Sequence, residues 1–455
     1  MDFKLPEKVV NVFTVFQKAG FEIYIVGGAV RDLLTGKPVY DWDFTTNATP
    51  EQILKLFPDA YYDNQFGTVG IKPEVENERP LEITTFRTES SYSDSRRPDK
   101  VTWGKTLEED LKRRDFTINA MALNVHLRGS RMGSSEVIDM FGGQEDLKKK
   151  IIRAVGDPNE RFGEDALRMM RAVRIATQLN FAIEENTLEA IKNHAPTLQK
   201  IAKERVKEEL FKILSSHHVY EGILLFRLSG LMAQVLPEME RAFGVEQKSP
   251  GRHHIYDVGT HLLMSLKAVA EKSNDPVTRL ATLIHDIGKP QTYRKLETGT
   301  ITFYNHEMVS TKIAERIAER LKFSNHETDK LTKLVRWHQF TVSENQTDSA
   351  IRRFIKNVTQ EYVEDAILLR IGDRLGGGAR ETSWRLEEFK KRLVEVQKQP
   401  FAVRDLKING RDVMQVLQIP AGPRVGEVLQ KLFNAVVAGK LKNDRPTLLS
   451  AIKKL

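Results

Sequence analysis

The stretch from Tyr24 to Thr46 constrains this chain more than any other. The apolar run Ile23-Tyr24-Ile25-Val26 reads as a buried strand, and Gly27-Gly28-Ala29-Val30-Arg31-Asp32-Leu33-Leu34 opens a short helix directly after it. A second strand is expected over Tyr40-Asp41-Trp42-Asp43-Phe44, closed by Thr45-Thr46. Side chains two apart on a strand share a face, so Asp41 and Asp43 present two carboxylates together. Gly28 lets a ligand approach the backbone, and the N–H groups at the helix start favour an anion. Paired carboxylates beside a phosphate cradle suit Mg²⁺, which is held by one or two carboxylates plus substrate phosphates. Such a combination calls for half of a nucleotide site rather than an acidic strand after a glycine turn.

At 455 residues the chain is long for one hydrophobic core, so roughly two to four domains are expected. Its 40% hydrophobic and 29% charged residues describe a soluble globular protein, with no apolar run of transmembrane length. Met1-Asp2-Phe3-Lys4 lacks a basic-then-apolar leader, so a cytoplasmic location is expected. Cysteine is absent, which excludes disulfides and cysteine-ligated zinc or iron–sulfur sites. The net charge of +8 resides in the tail: from Gly376 onward 16 Lys and Arg face 8 Asp and Glu, while the first 375 residues balance. A basic tail on a neutral body points to a polyanionic partner, or to a Lys-rich helical surface.

Along the chain, apolar residues at Val9, Val10, Val12, Phe13 and Phe16 define an amphipathic helix over 6–19, with Gly20 as its cap. A helix from Thr49-Pro50-Glu51 to Phe57 and strands at Thr68–Lys72 and Leu81–Phe86 complete a small mixed sheet. Glu82 is either a third carboxylate for the metal or an exposed strand residue. Residues 87–105 lack periodicity and read as a long irregular loop. Arg114 and Asp115 are adjacent opposite charges, able to hold a triphosphate and a ribose hydroxyl or to form a surface ion pair.

From Gly142 the pattern turns all-helical, and Gly163 to Arg174 is strongly helix-forming. Asp165 and Arg168 lie one turn apart on such a helix. A carboxylate accepts from an exocyclic amino group while a guanidinium donates to the neighbouring ring nitrogen, so the pair accepts cytosine and adenine and rejects guanine and uracil. The same spacing also makes an ordinary surface ion pair. Arg171 extends this ridge, whereas Arg174 lies about half a turn from Asp165 on ideal geometry.

Seven of the eleven histidines fall within 251–375. His261 sits in a helical run, and His285-Asp286 ends the apolar helix that begins near Leu280. Asp373 follows another apolar helix. Imidazoles and carboxylates on successive helices build a divalent or transition-metal site. Spacing leaves open whether His306 or His338 joins it; both together favour two metals. The tail segment Ile419-Pro420-Ala421-Gly422-Pro423-Arg424 is a turn opening a helix, either a phosphate contact or a plain connection.

Gly27-Gly28-Ala29-Val30-Arg31-Asp32, Asp41-Trp42-Asp43, Arg113 to Ala120 and Glu164-Asp165-Ala166-Leu167-Arg168 resemble, in that order, the bacterial class II tRNA nucleotidyltransferases. That family includes CCA-adding enzymes and poly(A) polymerases. The His261, His285-Asp286, Asp373 series resembles an HD-type phosphohydrolase domain. The resemblance implies an α+β chain: a polymerase-β-type head with a small mixed sheet over 1–141, then a helical neck over 142–215. An HD-like body over 216–375 and a basic tRNA-binding tail over 376–455 would follow. It implies two Mg²⁺ ions on Asp41 and Asp43, activating a tRNA 3′-hydroxyl against a nucleotide α-phosphate. Gly28, Arg31 and Arg114 would contact the nucleotide's phosphates or sugar, and Asp115 the ribose. Asp165 and Arg168 would select CTP and ATP, with Arg171 and Arg174 continuing the site. The loop at 87–105 matches the family's flexible loop, favouring full CCA or A addition over CC addition. An intact HD-type site implies a second, metal-dependent hydrolysis of RNA ends.

Overall fold

The computed structural model describes residues 3–63, 67–73, 79–90, 100–104, 106–128, 131–247, 255–340, 347–397, 403–437 and 440–454. Nine strands belong to the head: β1 (Ile23–Val26), β2 (Asp43–Thr46), β3 (Tyr61–Asp63), β4 (Thr68–Ile71), β5 (Leu81–Thr85), β6 (Arg87–Ser90), β7 (Lys100–Trp103), β8 (Met121–Arg128) and β9 (Arg131–Asp139). Seven of them form one mixed sheet in the order β3-β4-β5-β2-β1-β8-β9, in which β2 and β5 run parallel and the other neighbours antiparallel. Helix Glu7–Lys18 turns Val9, Val12, Phe13 and Phe16 into the head core, where Phe13 meets Phe44 edge-on. Thr49 and Gln52 form a reciprocal capping box that starts helix Pro50–Leu56 where the proline removes only an unneeded donor.

Three local expectations are corrected. The second strand begins at Asp43, not Tyr40. Its last pair with β1 is Val26–Asp43, because Gly27 then leaves the sheet for the helix and residues 40–42 lose that neighbour. Residues 87–105 are not wholly irregular, since β6 and β7 pair as a ribbon from Arg87–Trp103 to Ser90–Lys100. The loop between them, 91–99, and residue 105 lie outside the described residues. The long hairpin β8–β9 went unforeseen, its apolar side chains hidden in a stretch without clean alternation.

Beyond the head the chain is helical, apart from short pairings such as the parallel bridge of Ile151–Ile152 with Ala182–Ile183. One hydrophobic cluster runs from Phe116 to Val396, so neck and body share a continuous core. The tail has its own small core from Leu406 to Ile452. Helix Trp384–Gln397 packs with the body through Phe389, which touches Phe340 and Phe354. No helix among the described residues is long and apolar enough to cross a membrane.

Candidate functional site

The head site begins where β1 ends. Gly27 takes φ 73°, and a Cβ there would stand 3.3 Å from Arg114 Nη1 and 3.4 Å from Asp43 Oδ2. A side chain at this position is therefore strained and crowded at once. Gly27, rather than Gly28, is the glycine that lets backbone, carboxylate and guanidinium converge. Asp43 is mostly buried, and burial raises its pKa, opposed by Arg114 and Arg171 and reinforced by the Asp41 carboxylate. Asp41 lies ahead of the strand, 54% exposed, and pairs with Arg79. Glu82 is the parallel-register partner of Asp43, so both sit on the same face of adjacent strands.

Arg31 is locked by Asp32 at 2.9 and 3.0 Å and by Asn119 Oδ1 at 2.8 Å. Fully buried Asp110 holds Arg113 at 2.6 Å and Arg114 at 3.2 Å. Burial alone would raise the pKa of Asp110, but the two guanidiniums outweigh it and hold the carboxyl low. Spacings of three and four residues from Asp110 to these arginines are the sequence signal that could have found it.

Asp115 is buried and takes a two-point ion pair from Arg171, at 2.7 Å from Nε and 2.6 Å from Nη2. Its own burial is overcome by Arg171, Arg168 and Arg174, which keep the carboxyl ionised below its ordinary value. Arg174 forms an ion pair with Glu209 at 2.7 Å and also feels Arg171, Asp115 and Arg31. Spacing from Asp165 had made Arg174 the outlier; measured from Asp115, it lies in the same cluster.

The expected continuous helix over 163–174 is broken. One helix covers Pro158–Glu164, and the next begins at Leu167. Asp165 is extended between them, and its Oδ1 accepts from Leu167 N at 2.9 Å, an internal cap that competes with helix continuation. Arg168 N donates to the Asp165 carbonyl at 3.0 Å, while their side chains engage other partners. Asp165 Oδ2 accepts from Arg205 Nη2 at 3.3 Å, whereas Arg168 pairs with Glu164 and donates to the carbonyls of Arg161 and Arg113. Both side chains are thereby held separately, as two readers of one edge must be. Arg205 carried no local sequence signal, because 40 residues separate it from Asp165.

The body brings His261, His285, Asp286, Asp373, His306 and His338 into one buried cluster. His261 Nε2 stands 3.3 Å from His285 Nε2 and from Asp373 Oδ1, and 3.5 Å from Asp286 Oδ2. This closeness depends on Gly376, where a Cβ would meet Ser265 N at 2.7 Å and the His261 carbonyl at 2.9 Å. The other carboxylate oxygen, Asp286 Oδ1, faces His306 Nε2 at 3.1 Å and His338 Nε2 at 3.3 Å. None of these last three atoms makes a hydrogen bond, although all are buried. They approach one another as ligands around a common point do, and not along hydrogen-bonding directions. His285, His306 and His338 are oriented through Nδ1 by the carbonyls of Thr282, Phe303 and Val335 at 2.8, 2.7 and 2.7 Å, which leaves each Nε2 inward.

Electrostatics describe the same deficit of positive charge. Burial opposes a proton on His285, yet Asp286 and Asp373 push its pKa to about 10. Both carboxylates are held well below their ordinary range despite burial, Asp286 chiefly by Lys289 and His285, Asp373 by His261 and His285. Lys289, unnoticed in the sequence, is buried with Nζ 2.5 Å from Asp286 Oδ2 and 2.6 Å from Gln247 Oε1.

Comparison with known proteins bears on both regions. Residues 23–153 match the model of the poly A polymerase head domain, 180–243 the "Probable RNA and SrmB- binding site of polymerase A", and 297–452 domain 2 of a tRNA nucleotidyltransferase. These matches leave 244–296, with His261, His285 and Asp286, uncovered. The CCA-adding enzyme of Levilactobacillus brevis is 35% identical over 444 residues, 97% of this chain and 96% of that relative. The CCA-adding enzyme of Enterococcus faecalis is 36% identical over 442 residues, 96% of this chain and 92% of that one. The crystal structure of the Bacillus stearothermophilus CCA-adding enzyme in complex with CTP aligns with a TM-score of 0.67 at 28% identity, covering 99% of this chain and 98% of that chain. Such identity, sustained across nearly the whole of both sequences, shows the family: this chain belongs to the CCA-adding enzymes, nucleotidyltransferases of tRNA.

Proposed function

We propose that the head and neck together add C, C and A to a tRNA 3′ end from CTP and ATP, using Asp41 and Asp43 as the metal-holding pair. The observation that supports this reading is geometric: a Cβ at Gly27 would stand 3.3 Å from Arg114 Nη1 and 3.4 Å from Asp43 Oδ2, so carboxylate and guanidinium converge where the first strand ends. The donor types suit Mg²⁺, with hard carboxylate oxygens on Asp41 and Asp43 and with Glu82 beside Asp43 in register. Bound there, two Mg²⁺ ions would supply Lewis-acid polarisation of the α-phosphate and balance the charge passing to pyrophosphate. The chain's own groups do the rest. Arg31 and Arg114, fixed by Asp32, Asn119 and Asp110, meet the triphosphate without reorganising. Asp115 holds the ribose, with Arg171 keeping it ionised. Gly28 opens the backbone to the nucleotide, and Asp165 with Arg168 reads C and A, supported by Arg171 and Arg174. The 3′-hydroxyl oxygen then bonds the α-phosphorus as the bond to pyrophosphate breaks and the hydroxyl proton passes to solvent, with the reacting atoms held in line by the site.

Primer tRNA lacking its last three nucleotides tests this directly: with Mg²⁺, CTP and ATP the product should stop at three added residues. Asp43→Ala should lower incorporation by about 10²–10³-fold or more.

A second reading is favoured by the unpartnered buried atoms Asp286 Oδ1, His306 Nε2 and His338 Nε2. We infer two transition-metal positions sharing Asp286: one with His261, His285 and Asp373, the other with His306 and His338. Metals there would generate a nucleophilic hydroxide and polarise a phosphate ester. In the hydrolysis a water oxygen bonds phosphorus, the ester P–O bond breaks, and the departing oxygen takes the proton. Asp286→Asn should remove metal from the purified chain and any phosphohydrolase activity while leaving CTP incorporation intact; metal retained in full would sink this reading.

A further inference from the structure

A cleft of about 680 Å³ opens beside the His/Asp cluster, lined by Phe340, Arg370, Arg374, Ser383, Trp384 and Arg385 among others, none of them a carboxylate among the described residues. We propose that this cleft binds the phosphate-bearing end of a single-stranded RNA. One side chain joins it to the cluster. Asp373 turns Oδ1 toward His261 at 3.3 Å and gives Oδ2 to Arg370 at 2.8 Å, so the cleft wall and the metal-ligand set meet on a single carboxylate. Helix Val363–Gly376 places Arg370, Asp373 and Arg374 on one face by their spacing of three and four. Gln339 and Phe340, also in the lining, directly follow the ligand candidate His338.

The chemistry of the lining selects the ligand. Arginine forks recognise phosphate in two-point geometry. Aromatic faces stack unpaired bases, and cation–π contacts support them. Here Trp384 is 59% exposed with Arg385 5.4 Å from its ring, and Arg370 lies 6.0 Å from the Phe340 ring. Exposed tryptophan beside guanidinium groups fits a base and its phosphate better than it fits an acidic peptide, which offers no ring to stack. The volume lies within the range of small-ligand sites and admits about one nucleotide.

The cleft's biological use rests on the hydrolytic reading of the cluster, whereas binding does not. The test uses the full chain in EDTA and a fluorescent tetranucleotide carrying a 3′-phosphate, a 5′-phosphate or neither, read by anisotropy. The 3′- or 5′-phosphorylated form should bind at least about tenfold tighter than the unphosphorylated one. Trp384→Ala and Arg374→Ala should each weaken it about tenfold, with Trp384→Phe restoring most of the affinity. Equal affinity for phosphorylated and unphosphorylated RNA, or unchanged affinity in both alanine variants with unaltered melting, overturns the proposal. Activity measured separately with Mn²⁺ keeps the two readings apart. Binding without hydrolysis removes the hydrolytic centre and retains the cleft; hydrolysis with unaffected alanine variants removes the cleft and retains the centre.

Discussion

The head and the body dispose their acidic candidates for metal binding in opposite ways. In the head the acidic pair is open: Asp41 is half exposed and leans on Arg79, while Asp43 lies within reach of Arg114 and Arg171. In the body the donors are sealed, with His261, His285, Asp286 and His338 at most 1% exposed. An open pair with few protein ligands suits ions that arrive with a triphosphate and leave with pyrophosphate. A sealed set rich in imidazole, with the rings of His285, His306 and His338 oriented by backbone carbonyls, suits ions that stay. The contrast teaches that burial, not the count of acidic residues, is what distinguishes the two sets.

Breaking either side should leave the other standing. The largest effect is expected for Asp43→Ala: incorporation lost by about 10²–10³-fold or more, with metal content of the body unchanged by elemental analysis. Next, Gly27→Ala should cut incorporation severely, because a Cβ at φ 73° crowds both Arg114 and Asp43; thermal melting should move little by comparison. Arg205→Ala frees Asp165 Oδ2 and should change the CTP-to-ATP preference several-fold in kcat/KM while leaving metal binding alone. The smallest effect concerns acid. Asp110 is held below its ordinary pKa, so its contribution to stability is complete above about pH 4 and is lost as pH falls through the depressed value. Asp110→Asn should therefore flatten the acid limb of the stability profile and weaken nucleotide binding through Arg114.

Much of the head was legible because its signals are local. The strand, the Gly-Gly turn and the carboxylates fall within about one supersecondary unit, and their order named a family. What escaped was set by pairing partners distant in sequence. The start of β2 depends on where β1 stops, and Asp165 leaves the helix because its side chain caps the next one. Arg174, about half a turn from Asp165 on an ideal helix, pairs with Glu209, 35 residues away in sequence and without a local signal. In the body, His285-Asp286 announced itself, but the choice between His306 and His338 needed the packing that turns both to Asp286 Oδ1.

The account stands on the head and neck forming one site that counts to three. Primer tRNAs ending one, two and three residues short of the terminal A, incubated with Mg²⁺, CTP and ATP, should all converge on one product ending in CCA. Continued adenylate addition beyond that length, or convergence preserved in Asp43→Ala, would contradict it.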